Sequence, residues 1–270
     1  TRKGAIVLAP SELGLTFKGE LAARYTAIGN PRRSASDTSW EQPWGEQRVI
    51  RDNHTQLTVT LSGDTVLNKA VDVTFRLFDD GVGFRYEYAG IPSGQDVAIT
   101  AERTQFHTLG AYQAWWYQGL GQERDEYLYT QTDARRITLA ETPLTMKGDN
   151  GLYLSFHEAA MIDFPSMLLQ GNGEGTLTAW LMPWPDGTLA KKTGAFTTPW
   201  RTVLIGETPG ALADSRIELN LNEPSKIPDI QKWFTPGKYV GVWWEMHLDK
   251  TTWGSGMRHG ATTANVERYI

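Results

Sequence analysis

The residue types best suited to chemistry stand side by side as His157 and Glu158. If the chain is extended from Leu152 onward, Glu158 points to the same side as Leu154 and Phe156, because side chains alternate along a strand. A carboxylate then ends an otherwise apolar face. Burying it costs several kcal/mol unless an arginine, hydrogen bonds or a cation compensate the lost hydration. The alternative is an exposed glutamate just beyond the end of the strand.

Histidine titrates near neutrality, so His157, which points to the opposite side of that strand, is a candidate for proton transfer. A single histidine is more often a hydrogen-bonded structural residue. His107, His157 and Glu158 together supply the residue types of an acid and base pair. No spacing among these three residues selects that chemistry.

Tryptophan is unusually frequent, with eleven among 270 residues. Indole rings fill large cores, and they also stack on the flat apolar faces of sugar rings. Core packing is the simpler explanation for any single tryptophan. Four of them lie in polar, turn-rich surroundings where sugar recognition competes with it: Trp40, Trp44, Trp115 and Trp116.

The overall composition is that of a globular protein, and it excludes several classes of function. A formal charge of -5 and a pI near 5.6 leave no basic surface for a phosphate backbone, which argues against a nucleic-acid partner. No window approaches eighteen consecutive apolar residues, so no membrane span is predicted. The lack of cysteine excludes disulfides, thiolate catalysis and cysteine-bound zinc.

Alternating hydrophobicity predicts strands over most of the chain. Residues 71–77 alternate between apolar and polar types, and after the turn sequence Asp79-Asp80-Gly81-Val82-Gly83 a run at 84–88 places three aromatic rings on one face. This pattern predicts a hairpin, with glycine where positive φ is needed. Further strand-like runs occur at residues 151–157, 177–181, 202–205 and 217–221. We therefore predict an all-β fold, a sandwich of packed antiparallel sheets.

The C-terminal segment follows a different pattern. Prolines at 224, 228 and 236 indicate a connector, and we place a domain boundary near Lys238. Residues 239–246 form a short apolar run typical of a buried strand. After a glycine-rich loop, Thr262 and Thr263 offer an N-cap to a helix over 264–270. A strand, a loop and a short helix are half of a βαβ unit, so we expect an incomplete second domain.

Five segments, in this order, resemble glycoside hydrolase family 97, and the resemblance covers essentially the whole chain. They are residues 44–46 (WGE), 76–86 (RLFDDGVGFRY), 151–160 (GLYLSFHEAA), 198–202 (TPWRT) and 238–246 (KYVGVWWEM). Members of that family are bacterial exo-acting α-glucosidases or α-galactosidases. They combine an N-terminal super β-sandwich, similar to galactose mutarotase, with a catalytic (β/α)8 barrel, a small C-terminal sheet domain and an active-site calcium ion.

The resemblance implies a division into two parts. Residues 1–237 would form the sandwich and residues 238–270 the start of the catalytic barrel, with Tyr239–Met246 as its first strand and Thr263–Ile270 as its first helix. Glu158 would be the one calcium ligand that the sandwich contributes to the active site. A carboxylate is the ligand type that calcium prefers.

The resemblance also limits what these residues can do alone. Glycoside hydrolysis needs two carboxyl groups, and in this family both lie on later barrel strands. Glu245, at the end of strand one where barrel active sites lie, is the candidate pocket acid. Trp243, Trp244 and His259 are candidates for the border of a sugar pocket. We therefore predict that this chain is inactive, whereas its parent hydrolyses oligosaccharides in the bacterial periplasm or outside the cell.

Two other functions stay open at this point. One is a stand-alone carbohydrate-binding sandwich module with a tryptophan-lined surface. The other is a mutarotase-like sugar isomerase that uses His107, His157 and Glu158 as its acid and base. Neither the choice between glucosidase and galactosidase nor the choice between inversion and retention follows from these residues.

Overall fold

The computed structural model describes residues 1–20, 24–63, 65–119 and 127–270. The strands are β1 Leu8–Ala9, β2 Leu15–Phe17, β3 Tyr25–Ala27, β4 Arg32–Glu41, β5 Val49–Gly63, β6 Val71–Phe78, β7 Gly81–Tyr88, β8 Asp96–Glu102, β9 Gln105–Thr108, β10 Tyr112–Trp116, β11 Thr130–Asp133, β12 Leu139–Ala140, β13 Leu144–Gly148, β14 Tyr153–Ala159, β15 Met167–Gly171, β16 Thr176–Leu181, β17 Ala190–Thr193, β18 Phe196–Thr197 and β19 Trp200–Gly206. The α-helices are α1 Pro209–Ala213, α2 Ile217–Leu221, α3 Trp244–His247 and α4 Thr263–Tyr269. None of the described helices is long and apolar enough to cross a membrane.

The strands form three antiparallel sheets. The large sheet has eleven strands in the order β11-β10-β13-β14-β19-β7-β6-β5-β3, with β4 paired to β5 and β18 paired to β7. A five-stranded sheet has the order β1-β9-β16-β15-β12, and a three-stranded sheet has the order β17-β8-β2. The predicted all-β sandwich is confirmed.

The main core lies between the large sheet and the two smaller sheets. Phe156 of β14 contacts Phe106 of β9 with ring centroids 5.1 Å apart, so aromatic packing joins the large sheet to the five-stranded sheet. Phe17 of β2 contacts Tyr88 of β7 at 5.4 Å and joins the large sheet to the three-stranded sheet. All four residues are almost fully buried. Burial of each such ring contributes about 1.5–3 kcal/mol, so these contacts hold the layers together.

The opposite face of the large sheet carries a second, smaller apolar cluster, formed by Ala159, Trp200, Leu204, Ile217 and Leu221. The strand predicted over residues 217–221 is wrong, because this segment is the helix α2. Ile217 and Leu221 are four residues apart, so a helix places both on the side that packs against the sheet. Both are 1% exposed. Five residues are too few for their hydrophobic pattern to distinguish a helical turn from a strand.

The predicted hairpin is confirmed as β6 and β7, with Phe78 paired to Gly81 across the two-residue turn Asp79-Asp80. The reason given for its glycine is wrong, because Gly81 does not have positive φ. A Cβ atom at Gly81 would collide with the backbone oxygen of Val203 on β19. Glycine is therefore required here because two strands approach closely.

The strand predicted for Tyr239–Met246 is not formed. Residues 238–242 have no regular secondary structure, and the next residues form the single helical turn α3. A strand needs a neighbour to satisfy its backbone groups, and none of the sheets in the described part of the chain includes this segment. Tyr239 is accordingly 92% exposed. The predicted C-terminal helix is confirmed as α4, where the Asn265 backbone N–H donates to the N-cap hydroxyl of Thr262 at 3.2 Å.

The connector before this segment contacts the sandwich at the turn between β4 and β5. The rings of Trp44 and Phe234 meet edge to face with centroids 4.5 Å apart, and Gln231 donates to the carbonyl of Pro43 at 3.1 Å. The boundary placed near Lys238 stays a prediction.

Candidate functional site

Glu158 is buried in the core side of the large sheet, at the end of β14. It shares that side with Leu154 and Phe156, as its parity predicts, and it is 8% exposed. The alternative of an exposed glutamate beyond the strand is therefore wrong. On the neighbouring strand β19, Arg201 lies directly opposite Glu158.

Arg201 connects two carboxylates from different sheets. Its Nε and Nη2 atoms donate to the two oxygens of Glu102 on β8, at 2.9 and 2.6 Å, and its Nη1 atom donates to Oε2 of Glu158. The other oxygen of Glu158, Oε1, accepts from the backbone N–H of Met167 at 3.0 Å. The side chains of Arg201 and Glu102 are 0% exposed and that of Glu158 is 6% exposed. An arginine and hydrogen bonds thus compensate the burial of Glu158.

The electrostatics of this triad favour a permanently charged arginine. Burial opposes the guanidinium charge, but the two carboxylates outweigh it and hold the pKa of Arg201 above its ordinary value. One cation and two carboxylates leave a formal surplus of one negative charge. A bidentate arginine and carboxylate pair is among the strongest polar contacts in proteins, so the triad fixes the three-stranded sheet on the large sheet.

Glu158 does not form a calcium site with its surroundings in the described part of the chain. Calcium takes about six to eight oxygen ligands, whereas the described residues contain no group of three or more acidic or histidine side chains placed to hold a metal. A guanidinium also lies against the Glu158 carboxylate. The residues present therefore do not fit the ion that the resemblance implies.

His157 faces the outer side of the large sheet, away from Glu158. Its Nδ1 atom is hydrogen-bonded to the Thr142 hydroxyl at 3.2 Å. It lines a cleft of about 400 Å3 together with Glu218 of α2. The Thr202 hydroxyl donates to the Glu218 carboxylate at 3.2 Å. Burial raises the pKa of Glu218, and this effect outweighs the opposing effects of His157 and the Thr202 hydroxyl.

His107 lies on β9 in the five-stranded sheet, where it pairs with Ala9 and Thr176. His107, His157 and Glu158 therefore lie on different sheets or opposite faces. The structure does not bring the three residues of the isomerase hypothesis together.

The C-terminal candidates lie on α3 and in the loop that follows it. Glu245 accepts from Nη2 of Arg268 at 2.7 Å, and hydrogen bonds from Arg268 and Tyr269 lower its pKa. Trp243 and Trp244 are 55% and 54% exposed, and Nδ1 of His259 is hydrogen-bonded to the carbonyl of Gly254 at 3.1 Å.

The ring of Trp243 contacts that of His247, with centroids 6.3 Å apart, and His247 in turn contacts Trp253 at 5.2 Å. The sequence did not single out these two residues. The roles of Glu245, Trp243, Trp244 and His259 stay predictions.

Comparison with known proteins identifies the sandwich. The family model described as the N-terminal domain of glycosyl hydrolase 97 matches residues 1–224. The chain belongs to glycoside hydrolase family 97. Solved structures of a family 97 enzyme from Pseudoalteromonas sp. strain K8, including complexes with panose and with acarbose, share 40% identity and a TM-score of 0.84. They cover 99% of this chain, which spans 41% of theirs.

Two curated relatives share a lower sequence identity with this chain. A retaining α-galactosidase of Bacteroides thetaiotaomicron is 21% identical over 99% of this chain, and a probable retaining α-galactosidase of Streptomyces bingchenggensis is 24% identical over 90%. The chain spans 44% and 36% of their lengths. The family match places this chain at the N-terminal part of such longer proteins.

The sequence reasoning missed Arg201 and Glu102, the two residues that complete the triad. A signal was present for Arg201, since it is the only charged residue in the apolar run at 200–205. An arginine inside a predicted core strand requires a buried acidic partner.

Proposed function

We propose that this chain is the N-terminal region of an exo-acting α-glycosidase, an α-galactosidase or α-glucosidase that hydrolyses terminal α-linked sugars of oligosaccharides. The family match over residues 1–224 carries the proposal. The similar proteins support it, because one is a retaining α-galactosidase, another is a probable retaining α-galactosidase, and a third enzyme was solved with panose and with acarbose.

In this proposal the region supplies structure and recognition, and the catalytic carboxyl groups come from other parts of the protein. Retaining hydrolysis requires two carboxyl groups about 5 Å apart, and inverting hydrolysis about 6.5–9.5 Å. Glu102 and Glu158 are both bound to Arg201 and buried in the core, where a substrate cannot reach them. Glu245 forms an ion pair with Arg268. Glu102 and Glu158 are therefore not available to a substrate, and Glu245 alone cannot supply both carboxyl groups.

Calcium dependence stays a prediction for the complete enzyme, and so does a periplasmic or secreted location. For a calcium site, other parts of the protein would have to supply most of the ligands, and Glu158 would have to share its carboxylate with Arg201 or release it. Calcium removal by a chelator, followed by activity and binding measurements on wild type and Glu158→Gln, tests this assignment.

Hydrolysis is tested with p-nitrophenyl α-galactoside and p-nitrophenyl α-glucoside. We expect only background release from this chain and turnover from a protein extended to the length of its family 97 relatives. Turnover by the present chain that disappears in Glu245→Gln would contradict the assigned roles. An extended protein that cleaves neither substrate, nor natural α-linked oligosaccharides, would contradict the proposed activity itself.

A further inference from the structure

The outer face of the large sheet contains a second site with the chemistry of a ligand pocket. Register places Trp40 opposite Ile50, and Asp52 follows Ile50 by two residues, so Trp40 and Asp52 share a face. Gln56 lies on the same face and pairs with Arg76. This face is the one covered in part by α2. At the edge of α2 a cleft of about 470 Å3 opens, here called the Trp40 cleft, lined by Trp40, Asp52, Arg76 and residues 219–225.

Trp40 forms an aromatic wall whose orientation is fixed. Its Nε1 atom donates to Oδ1 of Asn220 at 2.8 Å, and the amide of Asn220 donates in turn to the backbone carbonyl of Arg51 at 2.9 Å. The ring remains 36% exposed. A flat apolar surface held in place before binding loses little entropy when a ligand stacks on it.

Arg76 supplies hydrogen-bond donors to the cleft. Its Nε atom donates to Gln56 at 3.0 Å, and its guanidinium packs over the Trp200 ring at 4.9 Å. No carboxylate in the described part of the chain forms an ion pair with it, while the neighbouring Arg85 is paired with Glu87 and Glu223. Burial and the charge of Arg85 lower the pKa of Arg76. A half-buried guanidinium with free N–H groups is expected to bind an oxygen-rich ligand.

Asp52 and Glu223 supply acceptors to the same cleft. Asp52 uses Oδ1 for the ring of His54, at 2.6 Å, and among the described residues its Oδ2 atom has no hydrogen-bond partner. Glu223 lies 3.8 Å from Arg85, beyond hydrogen-bonding distance. Sugar hydroxyls act both as donors and as acceptors, so one donor group and two acceptor groups around an aromatic wall match a polyol ring. An anion would instead be repelled by both carboxylates.

We propose that the Trp40 cleft binds a neutral pyranose ring of an oligosaccharide, stacked on Trp40, with its hydroxyls hydrogen-bonded to Arg76, Asp52 and Glu223. The cleft volume of about 470 Å3 lies within the range of small-molecule sites, which is about 300–1,000 Å3. The ligand class follows from the side chains of the cleft, and only the choice of α-linked probe sugars rests on the proposed function.

The test is a calorimetric titration of this chain with maltotriose and with melibiose, using galacturonate as the anionic comparison. We expect saturable binding of at least one neutral sugar. Trp40→Ala and Glu223→Gln should each weaken it by about tenfold or more. Glu223 is exposed, so its variant keeps the test valid if Trp40→Ala does not fold, which circular dichroism would reveal.

Trp184→Ala is the matched control. Trp184 is 57% exposed and lines a different cleft with Asp163 and Lys191, so its loss should leave sugar affinity nearly unchanged. Three results would overturn the proposal: no saturable binding of either neutral sugar, tighter binding of galacturonate, or loss of binding in Trp184→Ala but not in Glu223→Gln. Binding is measured without hydrolysis, so a failure of the proposed enzymatic activity leaves this result unaffected.

Discussion

Replacing Arg201 with methionine should destabilise the sandwich more than any other single change in the buried triad. The substitution keeps an unbranched apolar chain but removes the cation from two carboxylates whose side chains are 0% and 6% exposed, Glu102 and Glu158. Removing one partner of a buried ion pair costs about 3–5 kcal/mol, because the remaining charge is left without compensation. A domain is stable by only about 5–15 kcal/mol in total, so the variant should lose a large part of its stability.

Glu158→Gln is the matched comparison and should cost less. It leaves the bidentate contact between Arg201 and Glu102 intact. Arg201 and the Met167 N–H donate to different oxygens of the carboxylate, and glutamine replaces one of these oxygens with an NH2 donor. One buried donor is then unsatisfied, at a cost of about 1–3 kcal/mol.

The pH dependence separates lost charge compensation from lost packing. In Arg201→Met, two buried carboxylates lack a cation, so burial disfavours their charged form in the folded state. The unfolded chain has no such penalty, because its carboxylates are hydrated. Ionisation at neutral pH should therefore destabilise the folded variant more than it destabilises the wild type. The difference from wild type should be larger at pH 7.5 than at pH 4.5.

Urea denaturation at both pH values measures this effect, with circular dichroism as the signal. The expected order of destabilisation at pH 7.5 is Arg201→Met, then Glu158→Gln. A loss below about 1 kcal/mol in Arg201→Met, or an equal loss at both pH values, would refute the view that Arg201 neutralises buried charge.

Three further predictions concern other parts of the chain. Burial raises the pKa of Glu218, so the folded state favours the protonated carboxyl and the wild type loses stability as the pH rises through that raised pKa. The Glu218→Gln variant should therefore be more stable than the wild type at pH 7.5 but not at pH 4, as measured by urea midpoints. Gly81→Ala should cost about 1–3 kcal/mol, because the new Cβ atom meets the Val203 backbone; an unchanged midpoint would contradict the close strand approach. Amide hydrogens of residues 238–242 should exchange far faster than those of β6, because they lie outside regular structure; equal protection in a monomeric sample would contradict this account.

The fold could be predicted from the sequence wherever the deciding interactions are local. Alternation identified β6 and the hairpin to β7. The turn was placed too long, over residues 79–83, whereas β7 already begins at Gly81. The cap of α4 at Thr262 was also local. The predicted strand at 239–246 was wrong because its apolar content reports a tendency to be buried, whereas a strand also needs a partner strand elsewhere.

The candidate site depended on contacts that sequence patterns do not contain. The parity of Glu158 with Phe156 placed it correctly on the apolar side of the strand, but it left burial and exposure as alternatives, and the structure shows burial. The partners of Glu158 in the triad could not be predicted from neighbouring residues in the sequence. Arg201 lies 43 residues from Glu158 along the chain, and Glu102 lies 99 residues from Arg201, on another sheet. The Trp40 cleft likewise combines residues from β4, β5, β6 and the segment after α2. The sequence indicated only that Trp40 lies in polar, turn-rich surroundings.

The triad also bears on whether Glu158 can be a ligand for a metal ion. A carboxylate at the end of an apolar strand needs an arginine, hydrogen bonds or a cation, and Arg201 already supplies the positive charge. What remains is the surplus negative charge of two carboxylates around one guanidinium, and Glu158 is the more exposed of the two. A second cation would therefore be attracted to Glu158 by this surplus charge, and its binding would still depend on oxygen ligands from elsewhere. Glu158 thus has a structural role in this chain whether or not the complete enzyme binds calcium.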